Sequence, residues 1–425
     1  MGFFTQQSLA WATPPGCGIS CQLYKSCLSP KMPITGNGGK GILVVAEAPG
    51  AEEDKCNKQL IGKAGQRLRT ELLWHGIDLD RDCWKLNAVN CRPLDNRTPT
   101  YEEISACRPN VTRAIERLKP RLILLLGHSA MKSVVGDSNA EIAFGTGRGF
   151  PLLRGKVFPD RAYPGSWLCC TYHPSYIERS IGEPVVSVVW RNDLKRAFET
   201  LQQEQPSGSS ADDLVCCHAL TSTDEILALL RKLKESKRPF AEDYETTGLK
   251  PHASDQHVVS IGVCPAMNAS YAFKLEGYDG TWKEIRQLWA EIMACRDQGK
   301  IAHNLPFEFE WTRTCFGVIP RGWIADTQVL AHLEDSRSGH SSLKVQTYLK
   351  FGEPDYSGDV QKYKGASMEQ KKLRGCNALN GMMKAPIHDL LRYNALDALY
   401  TFRLWNFYRM QGVTASNGQP FEFYG

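Results

Sequence analysis

The sequence lacks any apolar run long enough to span a bilayer. Its longest strongly apolar run is Leu122–Leu126, whereas a transmembrane helix needs roughly 20 such residues. Residues 1–16 contain no basic stretch of the kind that opens a secretory signal. Internal repeats and the biased composition of disordered or collagen-like chains are also missing. We therefore expect a folded protein of the cytoplasm that makes no contact with a membrane.

A strong excess of charge of one sign is missing as well, because 51 Lys and Arg stand against 46 Asp and Glu. The resulting net charge of +5 is compatible with a polyanionic partner but does not establish one. At roughly 150 residues per domain, 425 residues predict two or three domains. The Ser-, Gly- and Pro-rich stretch Gln203–Asp213 indicates a linker. We accordingly divide the chain into a domain at 1–205, a linker at 206–213 and a domain at 214–425.

Both predicted domains belong to the α/β class, with different sheets. In the first domain, apolar strands alternate with amphipathic helices, which is typical of a parallel sheet flanked by helices. Its strands are expected at Gly41–Glu47, Trp84–Val89, Arg121–Leu126 and Trp167–Tyr172, and its helices at Ala64–Trp74, Tyr101–Leu118 and Val186–Leu201. The second domain should combine neighbouring antiparallel strands at Pro239–Tyr244, His257–Val263 and Ser270–Phe273 with helices that include Thr223–Glu235 and Ile387–Arg409.

Acidic residues of the second domain occur at the ends of predicted elements. Asp243 and Glu245 alternate along a strand and therefore share one of its faces. Tyr393 and Asp397 are four residues apart on the last helix, so they share a face too. Glu308 opens another helix. Taken singly, each has an ordinary structural explanation, but four carboxylates together are the oxygen ligands that Mg²⁺ or Mn²⁺ prefers.

The order of these motifs resembles that of a known family. Asp-x-Glu-Thr-Thr-Gly-Leu, then His-Asn-x-x-Phe followed by an acid, then Tyr-x-x-x-Asp-Ala resembles the four-carboxylate 3′→5′ exonucleases, in particular the proofreading domain of family A DNA polymerases. The resemblance implies a ribonuclease H-like fold with a mixed sheet. It covers about 210 residues, and its three motifs in order are highly specific.

The same resemblance implies a role for each matching residue. The ligands of two Mg²⁺ or Mn²⁺ ions would be Asp243, Glu245, Glu308 and Asp397. Tyr393 would orient the attacking water, while Asn304 and Phe307 would support the 3′-terminal nucleotide. The family usually has Asp at the position of Glu308, which makes Glu308 the least secure ligand, with Glu310 as a distant alternative.

Cysteine is abundant and odd in number, at 15 residues, which fits a disulfide framework poorly. The Cys17-x3-Cys21 pair, together with Cys91 and Cys107, could close around a [4Fe–4S] cluster or a tetrahedral Zn²⁺. The spacing alone does not separate the two. Cys27 lies close enough in sequence to compete for a place.

The surroundings of these cysteines resemble the iron–sulfur, family 4 uracil-DNA glycosylases over most of residues 17–200. The motifs that carry the resemblance are Ala-Glu-Ala-Pro-Gly at 46–50, Gly-Lys-Ala-Gly at 62–65, Leu-Asn-Ala-Val-Asn-Cys-Arg-Pro at 86–93, Asn-Arg-x-Pro at 96–99 and His-Pro-Ser at 173–175. It implies one [4Fe–4S] cluster on Cys17, Cys21, Cys91 and Cys107. It also implies a base pocket that contains Glu47, Leu60, Asn87 and His173.

Two departures from the glycosylase pattern affect the expected activity. Ala46 replaces the family's Gly, and Leu60 replaces the Phe that stacks on uracil, a contact worth ~1–3 kcal/mol. We therefore expect uracil excision to be weak or absent and this domain to serve DNA binding or polymerase docking.

A glycosylase-like domain followed by a proofreading exonuclease domain resembles the front part of certain bacteriophage family A DNA polymerases. They imply a 3′→5′ exodeoxyribonuclease that acts on single-stranded 3′ ends or primer-templates in an infected bacterial cell. Since Met410–Gly425 cannot hold a polymerase domain, we expect a separate polymerase subunit as partner. The alternatives are a bifunctional uracil-DNA glycosylase and exonuclease of DNA repair, and a non-catalytic polymerase accessory subunit.

Overall fold

The computed structural model describes residues 21–136, 149–180, 182–206, 213–276 and 280–411. The chain divides into two compact units. Unit 1 comprises Met1–Gly208 with Phe351–Glu353, and unit 2 comprises Ser209–Lys350 with Pro354–Gly425. Cys17, and almost all of the linker expected at 206–213, lie outside the described residues.

Unit 1 is built on a five-stranded sheet in the order β2-β1-β3-β5-β4, flanked by helices. Its strands are β1 (Ile42–Ala46), β2 (Cys83–Asn87), β3 (Leu122–Leu126), β4 (Val157–Pro159) and β5 (Trp167–Thr171). Its helices are α1 (Ala51–Cys56), α2 (Lys63–Trp74), α3 (Tyr101–Leu118), α4 (His128–Val135), α5 (Gly149–Leu153), α6 (Pro174–Arg179) and α7 (Pro184–Glu199). All pairs are parallel except the edge pair of β4 with β5.

The sequence explains the placement of these elements. All five residues of β3 are completely buried, as expected of a central parallel strand covered on both faces. Helix α3 begins with a capping box, in which Thr100 accepts from the backbone N–H of Glu103 and Glu103 accepts from that of Thr100. Trp190 of α7 is fully buried in the main core of this unit.

Unit 2 contains a six-stranded mixed sheet in the order β11-β10-β7-β8-β9-β6. Its strands are β6 (Cys217–Leu220), β7 (Phe240–Thr246), β8 (Val258–Ala266), β9 (Ala269–Lys274), β10 (Lys300–Ala302) and β11 (Trp323–Asp326). Its helices are α8 (Thr223–Ser236), α9 (Gly280–Ala294), α10 (Leu305–Phe316), α11 (Thr327–Glu334), α12 (Leu343–Phe351), α13 (Gln361–Lys364), α14 (Met368–Arg374) and α15 (Ile387–Met410). Strands β7, β8 and β9 pair antiparallel, and the remaining pairs are parallel.

Strand β7 is fixed through the face that carries Phe240 and Tyr244. The Tyr244 hydroxyl accepts from the Trp289 indole N–H at 2.7 Å and shares a 2.9 Å hydrogen bond with Thr312. All these groups are buried. Side chains alternate along a strand, so this anchoring leaves Asp243 and Glu245 on the opposite face, toward α15.

Helix α15 crosses that face closely because β8 carries a glycine there. Gly262 pairs with Asp243 across the strands, and Asn394 of α15 lies directly over it. A Cβ at Gly262 would stand 2.6 Å from the Asn394 carbonyl oxygen and 2.9 Å from its side-chain nitrogen. Only the missing side chain therefore permits this approach of helix to strand.

The fold class is confirmed: unit 1 has a mostly parallel sheet with helices, and unit 2 has a mixed sheet with helices. The antiparallel edge strand β4 and the parallel pairing of β6 with β9 were not anticipated. None of the helices in the described ranges has both the length and the apolar character that a membrane crossing requires.

Gly262→Ala should destabilise unit 2 by about 1–3 kcal/mol, because the new methyl group would force β8 away from α15. The measurement is the free energy of unfolding from a denaturant titration. Gly358→Ala is the matched control, since a Cβ there meets nothing within 4 Å. Equal unfolding free energies for the two variants would contradict the close approach.

Candidate functional site

Three carboxylates of unit 2 converge on one point. Ligand oxygens of Asp243, Glu245 and Asp397 all lie within 4.8 Å of one another. Asp243 and Glu245 come from β7, and Asp397 comes from the buried side of α15. Oxygen ligands at this spacing fit a hard divalent cation, so the residues present suit the metal that the motifs imply.

Glu308, the fourth predicted ligand, stands apart from this group of three. It lies in the first turn of α10 and is 2% exposed. Its Oε2 atom has no hydrogen-bond partner. Burial, followed by the charge of Asp243, raises the pKa of its carboxyl group well above the usual value. The structure therefore brings together three of the four predicted ligands and places the fourth close enough to interact electrostatically with Asp243.

The carboxylates of Asp243, Glu245 and Asp397 repel one another at close range in a partly buried site. Burial, reinforced by the charge of Asp397, raises the pKa of Asp243 to about 7. The pKa of Glu245 is raised well above normal by burial and then by the charges of the other two carboxylates. Burial also acts to raise the pKa of Asp397, but Lys344 and other partners outweigh it, so that pKa lies below its usual value. A cation at this point would relieve the repulsion.

Four residues around the carboxylates were missed by sequence reasoning. Lys344 forms a salt bridge with Asp397, and the Tyr356 hydroxyl donates to the same carboxylate at 2.6 Å. The Asn394 amide donates to Asp243 Oδ2 at 2.7 Å and is itself held by Ser260. The fourth residue, Lys364, donates to the Tyr393 hydroxyl. Lys344 directly follows Ser341-Ser342-Leu343, a short segment that also fits the pattern of the exonuclease family, and this was the available signal.

The predicted substrate-supporting residues lie at the start of α10. Asn304 is the exposed residue that precedes the helix, with φ 80°. Its backbone N–H donates to Asp326, as does that of Leu305. Phe307 is half-buried, with its ring centroid 6.0 Å from that of Trp311. Asn304 therefore faces solvent at the start of the helix that carries Glu308, whereas Phe307 contributes mainly to packing.

Unit 1 has a cavity of about 580 Å³ at the carboxyl ends of its parallel strands. All four predicted pocket residues, Glu47, Leu60, Asn87 and His173, line it. Glu47 follows β1, Asn87 ends β2, and His173 comes two residues after β5. This edge is where α/β sheets hold their ligands.

Hydrogen bonds orient two polar groups of the cavity, and a third polar group lacks a partner for one of its atoms. The Glu47 carboxylate accepts from the Ser129 hydroxyl at 2.9 Å. His173 Nδ1 accepts from the backbone N–H of Ser175, which places the proton of the neutral ring on Nε2. Burial lowers the pKa of His173 to about 4, so the ring is neutral at physiological pH. The Asn87 Nδ2 atom is buried without a hydrogen-bond partner.

Aromatic side chains share this cavity with Leu60, which is 5% exposed. The half-buried Phe150 lies with its ring centroid 6.1 Å from that of Tyr172 and 6.2 Å from that of His128. The pattern of the sequence gave no signal for Phe150, because it comes from a segment outside the recognised motifs.

The predicted cluster cysteines that are described lie in one small apolar group. Cys91 and Cys107 are buried with Leu23, Val89 and Ile104, and both Cys21 and Cys27 pack against them. Burial raises the pKa of Cys91 to about 12. Backbone N–H groups of Lys31 and Asn90 donate to Cys91 and Cys107 at 3.2 and 3.4 Å, as is common for cluster-binding sulfurs. The residues present thus fit an iron–sulfur cluster.

Comparison with known proteins identifies both units. The model of the uracil DNA glycosylase superfamily matches residues 33–195, and a 3′-5′ exonuclease model matches residues 217–411. The type-4 uracil-DNA glycosylase of Pyrobaculum aerophilum is 34% identical over 179 residues, which are 42% of this chain and 86% of that protein. The chain therefore belongs to the uracil-DNA glycosylase superfamily and carries, in addition, a 3′→5′ exonuclease domain.

Two DNA polymerases are also similar to this chain, and the match to one of them spans both domains. The DNA polymerase of Bacillus phage SP01 is 25% identical over 362 residues, which span 78% of this chain and 37% of the polymerase. The DNA polymerase I of Chloroflexus aurantiacus is 30% identical over 39% of this chain and 16% of its own length. The phage match spans more of the chain than either unit contains, so both domains are joined in one polymerase. It gives no support to the expectation of a separate polymerase subunit.

Proposed function

We propose that this chain is a metal-dependent 3′→5′ DNA exonuclease that proofreads in a phage-type replication machinery of an infected bacterial cell. The observation that carries the proposal is the convergence of three carboxylates within 4.8 Å on the exonuclease domain. The proposed substrate is an unpaired 3′ end of DNA, either single-stranded or at a primer terminus. The proposed domain limits are 1–205 for the glycosylase-like part and 214–425 for the nuclease.

The chain's own residues divide the work of the reaction. Two Mg²⁺ or Mn²⁺ ions bound by Asp243, Glu245, Glu308 and Asp397 would activate a water and stabilise the departing 3′ oxygen. Asn394 holds the Asp243 carboxylate in place, and Tyr356 holds that of Asp397. The Tyr393 phenol would orient the attacking water. Asn304, which is exposed at the start of the helix that carries Glu308, would contact the terminal nucleotide.

Asp243→Ala combined with Asp397→Ala should reduce digestion of a 5′-labelled single-stranded oligonucleotide in Mg²⁺ by at least about 100-fold, because two ligands are lost. The reaction is followed as a ladder that shortens from the 3′ end, and EDTA should abolish it. Asp297→Ala with Asp359→Ala removes two exposed acids and is the matched control. Undiminished digestion by the first variant would refute the proposed site.

Uracil recognition is a second candidate function, and the unpaired Asn87 amide in the cavity favours it. A flipped uracil presents carbonyl oxygens and an N–H group at its edge, which the Asn87 amide can meet. Glu47, held by Ser129, is available to position a water. The Nε2–H of His173 can donate to the oxygen of the departing base. If one of these three residues does not make its contact with the base or the water, the pocket would bind DNA without excising uracil.

Excision is tested with an oligonucleotide that contains one uracil, incubated in EDTA and then treated with hot alkali. The second candidate function predicts cleavage at the uracil, and Asn87→Ala should then lower its rate at least about tenfold, since a polar contact to the base edge is lost. The Asp243→Ala, Asp397→Ala protein is the control, because it should still excise. If the unaltered protein leaves no alkali-labile site, the domain serves DNA binding or docking instead.

For the iron–sulfur cluster we propose Cys21, Cys27, Cys91 and Cys107 as the four ligands, with Cys27 in place of the Cys17 implied by the resemblance. Cys27 packs against the buried pair and its side chain is in hydrogen-bonding contact with that of Cys91. Backbone N–H groups of Leu28 and Ser29 donate to Asp54 at 3.0 and 2.8 Å, which fixes the loop immediately after Cys27.

Cys27→Ser should lower the iron content from about four atoms per chain and bleach the visible absorbance of anaerobically purified protein. Cys17→Ser should retain both, as should Cys56→Ser, which changes an exposed cysteine. The readouts are iron stoichiometry and the absorbance spectrum. If Cys27→Ser keeps its full iron content and Cys17→Ser loses iron, the fourth ligand is Cys17, as the resemblance implies, and this proposal is wrong.

A further inference from the structure

Two lysines reach the carboxylate group, and they have different partners. Lys344 of α12 forms a salt bridge with Asp397 and lies 3.6 Å from the Tyr356 ring centroid. Lys364 of α13 donates instead to the Tyr393 hydroxyl at 2.7 Å. Its Nζ atom is 4.0 Å from the Tyr393 ring centroid. The hydrogen-bond partner of Lys364 is therefore the phenol, although its charge also acts to lower the pKa of Asp397. Lys344 likewise lies 4.3 Å from the Tyr393 ring centroid, but its own salt bridge is to Asp397.

The backbone beneath Lys364 is fixed by packing. Helix α13 has only four residues, but Val360, just before it, is 1% exposed and packs in the same apolar group as Tyr393. Tyr363 packs against that group, and its carbonyl accepts from the Gly381 N–H at 2.7 Å. Lys364 is half-buried as a result, whereas Lys362, two residues earlier, is exposed.

The chemistry of the two groups determines the direction of their hydrogen bond. A lysine ammonium has three donors and no acceptor, so the phenolic oxygen must accept from Lys364. The Tyr393 O–H bond then points away from the ammonium. One lone pair of the phenolic oxygen is already used as the acceptor for Lys364. The phenol also interacts with the Asp397 carboxylate, so its orientation is defined by Lys364 on one side and by the carboxylate group on the other.

We propose that Lys364 is a positioning residue that sets the orientation of the Tyr393 phenol, through which Tyr393 aligns the attacking water. This inference rests on the proposed exonuclease function. A different role, direct contact of Lys364 with a DNA phosphate, would use the same charge but would not depend on Tyr393. The two roles therefore predict different losses of activity when Lys364 and Tyr393 are substituted together.

The test is a double-mutant cycle on the full chain with 5′-labelled single-stranded DNA and Mg²⁺. We expect Lys364→Met to lower kcat by at least about tenfold, because small misplacements of catalytic groups are costly, with KM little changed. Lys364→Met in a Tyr393→Phe background should cause no further loss, since the phenol that it orients is absent. Lys364→Arg should recover part of kcat, because the guanidinium also donates. Lys362→Met is the matched control and should leave kcat and KM unchanged.

Some outcomes would contradict the role of Lys364 and still leave the proposed exonuclease function intact. Losses that multiply in the double variant would assign Lys364 a role independent of Tyr393, either in phosphate binding or in the charge balance of the carboxylates. A rise in KM with kcat unchanged would assign it to phosphate binding. An unchanged kcat for Lys364→Met would remove it from the reaction altogether. Matching melting temperatures are required for all variants, so that a drop in kcat from unfolding is recognised. Failure of the exonuclease proposal appears elsewhere, as unaltered protein that does not shorten DNA in Mg²⁺.

Discussion

Repulsion between carboxylates in a partly buried site is the constraint on which unit 2 depends. Asp243, Glu245 and Asp397 bring oxygens within 4.8 Å of one another, and like charges removed from water are costly unless cations accompany them. Lys344 and Lys364 supply part of that compensation, as their effect on the pKa of Asp397 shows. The negative charge that these lysines leave uncompensated is the reason that a divalent cation would be held at the three carboxylates. The strand that carries the acids must meanwhile be fixed from its other face, which Tyr244 does through Trp289 and Thr312.

The periodicity of the sequence was sufficient to predict the acids that share an element. Asp243 and Glu245 share a face because strands have a period of two, and Tyr393 and Asp397 do so because a helix brings positions i and i+4 together. The lysines were not predictable in this way. Lys344 and Lys364 come from separate elements, 53 and 29 residues from Asp397 and Tyr393, so only the tertiary fold brings each to its partner. Gly262 is similar, since its role depends on the helix that passes over it.

Unit 1 was more predictable because its pocket lies at one edge of a parallel sheet. Residues at the carboxyl ends of neighbouring parallel strands meet there whatever the helices between them do. The positions of Glu47, Asn87 and His173 after three predicted strands therefore agree with the single pocket that the family resemblance implied. Ser129, which orients Glu47, lies beyond the end of the central strand and carries no motif. The cysteines show the limit of spacing as a guide, since Cys27 packs with Cys91 and Cys107 although the sequence offers the Cys17–Cys21 pair as well.

The expectation of weak uracil excision depended on Ala46 and Leu60, and the cavity alters the part of that reasoning that concerns Leu60. A leucine offers no aromatic face, and base stacking on such a face is worth ~1–3 kcal/mol. Phe150 and Tyr172 nevertheless line the same cavity, so the pocket as a whole retains aromatic surface. Because Phe150 is only half-buried, part of its ring remains available for contact with a base. The substitution at position 60 therefore changes which side chain could stack on a flipped base, and by itself it is not an argument against base capture.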